Sequence, residues 1–327
     1  MKENIKLYPL KFHPILFEKI WGGTKLKRIL NKKSESGLTG ESWELSTIPG
    51  NISVVKEGVL KGRNLESIIN EYKNKIVGEK IYREFGYQFP LLVKFIDARD
   101  NLSVQVHPDD IMAEKYHNGY GKTEMWYVLD ADDKAQLISG FNKVINPAVY
   151  TSLVAGGGFM ETLRINHVKK GDTFFIPAGR IHAIGKGLMV AEIQQMSDIT
   201  YRVYDFNRTD SAGQKRELHI DKAALALNFS DTDSGKIDYN PVENHKINLV
   251  NCNYFNTSII KINGTVDCDY SNTDSFRILI CVEGSAEILT DSSYHIETGD
   301  TMLIPAEIKH IIIKSANATI LEVHSGE

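Results

Sequence analysis

At 327 residues, with an apolar share of 42% and a formal net charge of -4, the chain has about twice the length of an average domain and an ordinary globular composition. The mildly acidic balance leaves no electrostatic footprint for nucleic acid or for an anionic membrane surface. No run of about 18 apolar residues exists, and the mixed-charge start Met1 to Lys6 lacks an apolar signal core, so neither membrane insertion nor secretion is expected. Three cysteines, Cys252, Cys268 and Cys281, match no metal-binding spacing, and their odd number argues against a disulfide framework. A reducing cytoplasm is the expected compartment.

In chain order, residues 5 to 60 give short apolar runs broken by Gly, Pro and Ser. Gly40 to Ser46 alternates in period two around Trp43 and Leu45, which predicts a strand with Glu44 on the opposite face from Trp43. Asn64 then caps a predicted helix whose stripe is Leu65, Ile68, Ile69, Tyr72 and Ile76. Phe89 to Ile96 predicts a strand buried on both faces, with Lys94 as its only charge. A buried lysine is costly unless paired or functional. Trp21, Trp43 and Trp126 read as core aromatics.

Gln105 and His107 lie two apart between Val104 and Val106, so on an extended strand both project from one face. A short helix introduced by Pro108, Asp109 and Asp110 leads on to Glu124. Much later, His182 closes the run Gly171 to His182. Two imidazoles, a carboxylate and a carboxamide make a mixed nitrogen and oxygen set suited to a divalent transition metal. From Met125 to Pro177 the pattern predicts strands and turns, with Gly156 to Gly158 as a loop. Val190 to Val203 is a further strand region, and residues 219 to 229 predict a short helix.

The stretch 231–244, rich in Asp, Ser, Gly and Asn, is the expected linker. Beyond it the chain repeats itself. Gly299 to His310 aligns without gaps on Gly171 to His182, which implies two related all-β units. In the second copy Glu307 replaces Gly179, no Gln-x-His precedes the run, and Arg277 falls in the place of Glu124. The expected division is therefore residues 1–230 as a metal-binding unit and 245–327 as a metal-free one.

The spacing Gly, five residues, Pro, one residue, Gly, two residues, His resembles the second motif of cupins, small β-barrels of jelly-roll type. Gln105 stands where most cupins have a histidine. Gln-x-His followed by Glu and a distant His is similar to type I mannose-6-phosphate isomerase, a zinc enzyme with tandem cupin folds. Trp21 to Gly23, Gly40 to Glu44, Phe89 to Asp97, Gln105 to Asp110, Lys122 to Tyr127 and Asp198 to Arg208 match the same family. The short interval from Glu124 to His182 leaves no room for the extra helical domain of longer members, as in the compact bacterial form.

The resemblance implies a mainly β fold, two cupin-like jelly-roll barrels in tandem with a few short helices. It implies one Zn2+ per chain, held by Gln105, His107, Glu124 and His182. It places Arg202, Lys94 and Lys122 among the catalytic residues and Arg208 at a substrate phosphate. Asp198 is expected to orient Arg202 or a ligand. Glu44 reads either as part of the site or as a structural carboxylate paired with a nearby cation. The implied reaction interconverts mannose 6-phosphate and fructose 6-phosphate through a cis-enediol(ate), with proton transfer between C1 and C2. Like charge from the metal disfavours protonation of a neighbouring ammonium, which would let Lys94 or Lys122 join proton transfer. The expected partner is a small sugar phosphate, the expected assembly a monomer or homodimer. Two competitors are an Fe(II) dioxygenase of cupin type and a non-catalytic sugar-binding cupin. The basic residues Lys122, Arg202 and Arg208 favour a phosphorylated sugar over both.

Overall fold

The computed structural model of the chain describes residues 5–209 and 213–326. Most strands lie in three antiparallel sheets. The first, seven-stranded, runs across Lys236–Ile237, Thr173–Ile176, Glu124–Ala131, Leu188–Gln195, Leu91–Ala98, Thr39–Leu45 and Ile15–Gly23. Facing it is a five-stranded sheet of Leu163–His167, Gln136–Phe141, His182–Ile184, Val104–Val106 and Tyr201–Tyr204. The two share no strand, so this unit is a mainly β sandwich of jelly-roll type rather than a closed barrel.

Between these sheets lies a core that includes Trp21, Ile96, Trp126, Val128, Leu137, Phe174, Ile176, Ile184 and Val190. The period-two rule explains why Leu91–Ala98 is buried throughout. Ile96 faces this core, while Leu91, Val93 and Phe95 face outward into a second one shared with Ile278, Ile280, Leu321 and Val323. Those four belong to the third sheet, seven-stranded, built around the long strands Phe255–Asp269, Arg277–Leu289 and His310–Ser325. The two seven-stranded sheets therefore pack face to face, and the third carries its own core on its far side.

The repeat is visible in backbone bonds. Gly171 and Gly299 adopt positive φ of 89° and 91°, a conformation that glycine reaches at no steric cost. In each copy this turn exchanges two hydrogen bonds with one residue of the neighbouring strand, Val128 in the first and Cys281 in the second. Four residues before these partners stand Glu124, paired with Ile176, and Arg277, paired with Ile304. Arg277 thus occupies the second copy's equivalent of the Glu124 position.

Several elements depart from expectation. The helix capped by Asn64, whose Oδ1 accepts from the Ser67 N–H at 2.8 Å, spans Leu65–Tyr72. It breaks at Lys73 (φ 53°), and Ile76 sits in a separate helix, Asn74–Val77. Helix Pro147–Gly156 lies where strands and turns were expected. Asn146 caps it, Pro147 starts it, and its Tyr150 packs on the outer face of the five-stranded sheet. The expected linker 231–244 contains Lys236–Ile237, which pairs with Thr173–Phe174. Leu10–Lys11, far from the second unit in sequence, pairs with Met302–Leu303 of the third sheet. Among the described residues no helix is long and apolar enough to cross a membrane.

Candidate active site

The site is written into two rows of directly opposed residues, and opposed residues of antiparallel strands share a face. In the five-stranded sheet one row reads Ser139, His182, Gln105, Arg202. In the facing sheet a row reads Phe174, Trp126, Glu192, Lys94, Trp43, and the next in register on that face holds Ile176, Glu124 and Gln194. His107 lies two residues past Gln105, and Lys122 two residues before Glu124. Charged groups thus enter an otherwise apolar interior at one end.

His107, Glu124 and His182 are buried, and one ligand atom from each falls within 4.8 Å of the other two. Nε2 of His107 lies 3.4 Å from one Glu124 oxygen, and Nε2 of His182 lies 3.5 Å from the other. Each imidazole is fixed from behind by a carbonyl 2.9 Å from Nδ1, Ile199 for His107 and Arg180 for His182. A carbonyl can only accept, so Nδ1 carries the proton and Nε2 offers its lone pair inward. The His182 ring also meets Trp126 edge-on, 5.4 Å between centroids. Nε2 of His107 and both Glu124 oxygens have no hydrogen-bond partner. Buried polar atoms are ordinarily paired, and three such atoms converging fit a divalent cation.

Gln105 completes the group. Its Nε2 lies 3.3 Å from His182 Nε2, and a half-turn of the amide, whose two ends are alike in shape, would bring Oε1 to the same place. With a carboxamide as fourth member, Glu124 is the set's single formal negative charge. Burial, and then the Lys122 ammonium, push His107 down to about 3. Burial likewise lowers His182. Burial opposes ionisation of Glu124, but Lys122 and the two imidazoles outweigh it and hold the carboxyl well below its usual range. The histidines stand neutral and the carboxylate charged, as metal ligation requires.

Lys122 is buried with Nζ 3.0 Å from Glu124. Among the protein's own charges the balance at Lys122 runs opposite to the sequence expectation. Burial favours loss of its proton, but the carboxylates of Glu124 and Glu192 prevail and raise it. Lys94 Nζ lies 3.2 Å from Glu192 and 5.1 Å above the Trp43 ring. Glu192 accepts from Trp126 Nε1 at 2.9 Å, while its other oxygen has no hydrogen bond. Burial, and then the charge of Glu124, raise the Glu192 carboxyl.

Glu192 and Glu41 are the residues that sequence reasoning missed. Glu41 is held by Trp43 Nε1 and Lys19, at 2.8 and 3.1 Å. Burial opposes its ionisation, and the fields of Lys94 and Lys19 overcome that. The signal available was a carboxylate on the Trp43 face of Thr39–Leu45 and a lone carboxylate on the Gln194 face of Leu188–Gln195.

Of the two readings of Glu44, the structural one holds. Strand alternation turns it away from the site, and it pairs with Lys32 at 2.8 Å and accepts from Ser42. Asp198 is a correction: it is exposed and, among the described residues, forms no hydrogen bond to Arg202 or to the histidines. Arg202 is steadied by other groups. Its Nη1 donates to the Glu217 carbonyl at 2.7 Å and its Nε is unpartnered. Arg208 is engaged within the protein, by the Asp205 carboxylate and the Asn101 carbonyl, and Arg216 grips the same carboxylate.

A family model for the catalytic domain of type I phosphomannose isomerase matches residues 10–137, and one for the mannose-6-phosphate isomerase cupin domain matches residues 245–325. A mannose-6-phosphate isomerase of Streptococcus mutans is 36% identical over 321 residues, covering 98% of this chain and 99% of that protein. One from Bacillus subtilis is 36% identical over 301 residues, or 91% and 93% of the two chains. The crystal structure of the mannose 6-phosphate isomerase of Bacillus subtilis superposes with a TM-score of 0.84 at 33% identity, over 97% of this chain and 100% of that one. On such identity across almost the whole of both chains, this chain belongs to the type I phosphomannose isomerase family.

Proposed function

We propose that the chain is a zinc-dependent aldose-ketose isomerase that interconverts mannose 6-phosphate and fructose 6-phosphate. The observation that carries this reading is the convergence of the His107, Glu124 and His182 ligand atoms beside Gln105, those of His107 and Glu124 without a hydrogen-bond partner, with Arg202 directly opposite Gln105. Zinc held by His107, His182, Glu124 and Gln105 supplies Lewis-acid stabilisation of negative charge on a substrate oxygen. Arg202, with a free Nε–H, donates hydrogen bonds to the oxygens of the cis-enediol(ate), where they act most strongly as charge develops. Lys122 holds Glu124 ionised and adds positive charge on the same side. Glu192, raised by burial and by Glu124, holds a proton more readily than an ordinary carboxyl, and its oxygen beside Lys94 is our candidate for shuttling one between C1 and C2. Arg208 is retained for the substrate phosphate, with the condition that it leaves Asp205 to do so.

The division into a catalytic unit (1–230), a linker (231–244) and a supporting unit (245–327) belongs to the same proposal, amended in that Leu10–Lys11 serves the second unit's sheet. Cytoplasmic residence accords with three free cysteines. The test is direct. The protein, zinc-loaded and after chelation, is incubated with mannose 6-phosphate while fructose 6-phosphate is measured. Product from the loaded form alone, restored on adding zinc back, is expected. No product from the loaded form would remove this substrate assignment.

A further inference from the structure

Among the described residues Tyr201–Tyr204 is the edge strand of the five-stranded sheet, with Val104–Val106 on one side and no strand on the other. On the open side the segment Glu217 to His219 takes a partner's place. His219 donates its N–H to the Arg202 carbonyl at 2.7 Å. The Arg202 N–H in turn donates to His219 Nδ1 at 3.1 Å, and Arg202 Nη1 donates to the Glu217 carbonyl at 2.7 Å. Backbone and guanidinium of one residue are thus held by one three-residue stretch, and a side-chain nitrogen stands where a sheet would offer a carbonyl.

We infer that His219 is a positioning residue for Arg202, and that it performs this role only as a neutral imidazole with its proton on Nε2. The inference rests on the isomerase reading above for the role of Arg202, and on geometry for the rest. An Nδ1 that accepts from an N–H has no proton of its own. Protonation there turns acceptor into donor, sets two N–H groups against each other, and releases Arg202 from one of its three anchors. The imidazole is itself held in place. Helix Ile220–Ala226 begins at the next residue, its Ala223 is buried under the five-stranded sheet, and the Ala223 N–H closes on the His219 carbonyl at 2.8 Å.

The groups facing this ring set its proton affinity. Glu217 approaches Nε2 at 3.9 Å and favours a second proton. Arg202 and Lys222 oppose it, as does His117, whose Nε2 is bonded to the Tyr201 hydroxyl at 2.8 Å. Burial adds to the opposition and is the largest influence, so the balance holds His219 below the ordinary imidazole range. Near neutral pH the ring is the acceptor that Arg202 needs. Protonation at lower pH removes that acceptor, and the acid limb of turnover reports the loss.

The experiment compares wild type, His219→Ala and His219→Asn, each zinc-loaded, for kcat and KM across the neutral and mildly acidic range. Metal content is measured in parallel, and wild-type imidazole 15N shifts are recorded. His219→Ala is expected to lower kcat roughly tenfold to a hundredfold, the scale of a misplaced catalytic group, with metal content unchanged. His219→Asn, whose Oδ1 can take the same N–H but does not titrate, is expected to restore most of the turnover and to flatten the acid limb. The 15N spectrum is expected to show the proton on Nε2. Wild-type kcat in His219→Ala, an unaltered acid limb in His219→Asn, or an Nδ1–H tautomer would overturn the inference. A wild type inert on mannose 6-phosphate would instead remove the isomerase reading, and the tautomer would decide the acceptor role alone.

Discussion

Replacing Lys122 by Met tests whether the buried charges of the site are arranged around a cation that the protein itself does not supply. Lys122 Nζ lies 3.0 Å from Glu124, and at an effective dielectric constant of about 20 such a pair attracts by roughly 5 kcal/mol. Part of that is offset by the cost of burying both ions, and removing one partner of a buried pair typically costs about 3–5 kcal/mol, because the other is left uncompensated. In the metal-free chain Lys122→Met should lose that much, a large share of the roughly 5–15 kcal/mol that holds a protein of this kind together. Zinc in the site would give Glu124 a new counter-charge, leaving only the near-isosteric exchange of side chains, worth less than about 1.5 kcal/mol. Urea unfolding of wild type and variant, each with chelator and with zinc, reads both numbers. An equal loss in the two states would refute the reasoning, because the Glu124 charge would then not be shared between Lys122 and a metal. No loss in chelator would refute it too.

His182→Ala should abolish stoichiometric zinc while leaving the far-ultraviolet circular dichroism of the β fold intact, since His182 is one of the three converging side chains and its strand is held by backbone pairing on both sides. Metal analysis after dialysis checks this. Arg202→Ala should keep its zinc and lose about a hundredfold to a thousandfold in kcat, the cost of deleting one donor to a developing oxyanion. Full turnover would take Arg202 out of the mechanism. For pH, His107 is pushed down to about 3 in the folded chain, against about 6.5 unfolded. Between those values the unfolded chain binds more protons, so stability of the metal-free protein rises with pH there. It is lost as pH falls from about 6.5 toward 3, by on the order of a few kcal/mol. Urea midpoints in chelator that stay flat from neutral pH down to mild acid would contradict this.

What could be read from the sequence and what could not divide along a physical line. Gln105 and His107 were legible because period two holds on any strand, and His182 because its motif recurs at His310. Glu124 was placed by order along the chain, and the register then set it beside Ile176 as Arg277 stands beside Ile304. The partners of those residues were not legible, because pairing across a sheet depends on which strands become neighbours. Glu192 meets Lys94 only because Leu188–Gln195 and Leu91–Ala98 lie side by side. Glu44 was left between two readings although its face was correctly assigned, because its partner Lys32 was not legible. Knowing that it opposes Trp43 excludes it from the site only once Lys94 is seen over the Trp43 ring. Helix Pro147–Gly156 carried its signals, Asn146 and Pro147, but its many apolar and β-branched residues obscure any polar face.

Leu10–Lys11 gives the molecule a property that neither unit has alone. These two residues leave the catalytic segment and pair with Met302–Leu303, with Lys11 also bound to Asp300 at 2.6 Å. Residues 10–11 are thereby buttoned onto the last quarter of the chain, with the His107, Glu124 and His182 group enclosed between. Lys32, which steadies Glu44 and donates to the Gly299 carbonyl at 2.7 Å, fastens the same seam at a second point. A truncation meant to isolate the catalytic half would open the seam and bare the shared apolar face of Leu91, Val93 and Phe95. The second copy has Arg277 where the first has Glu124, yet it remains the cover over the first unit's outer apolar face.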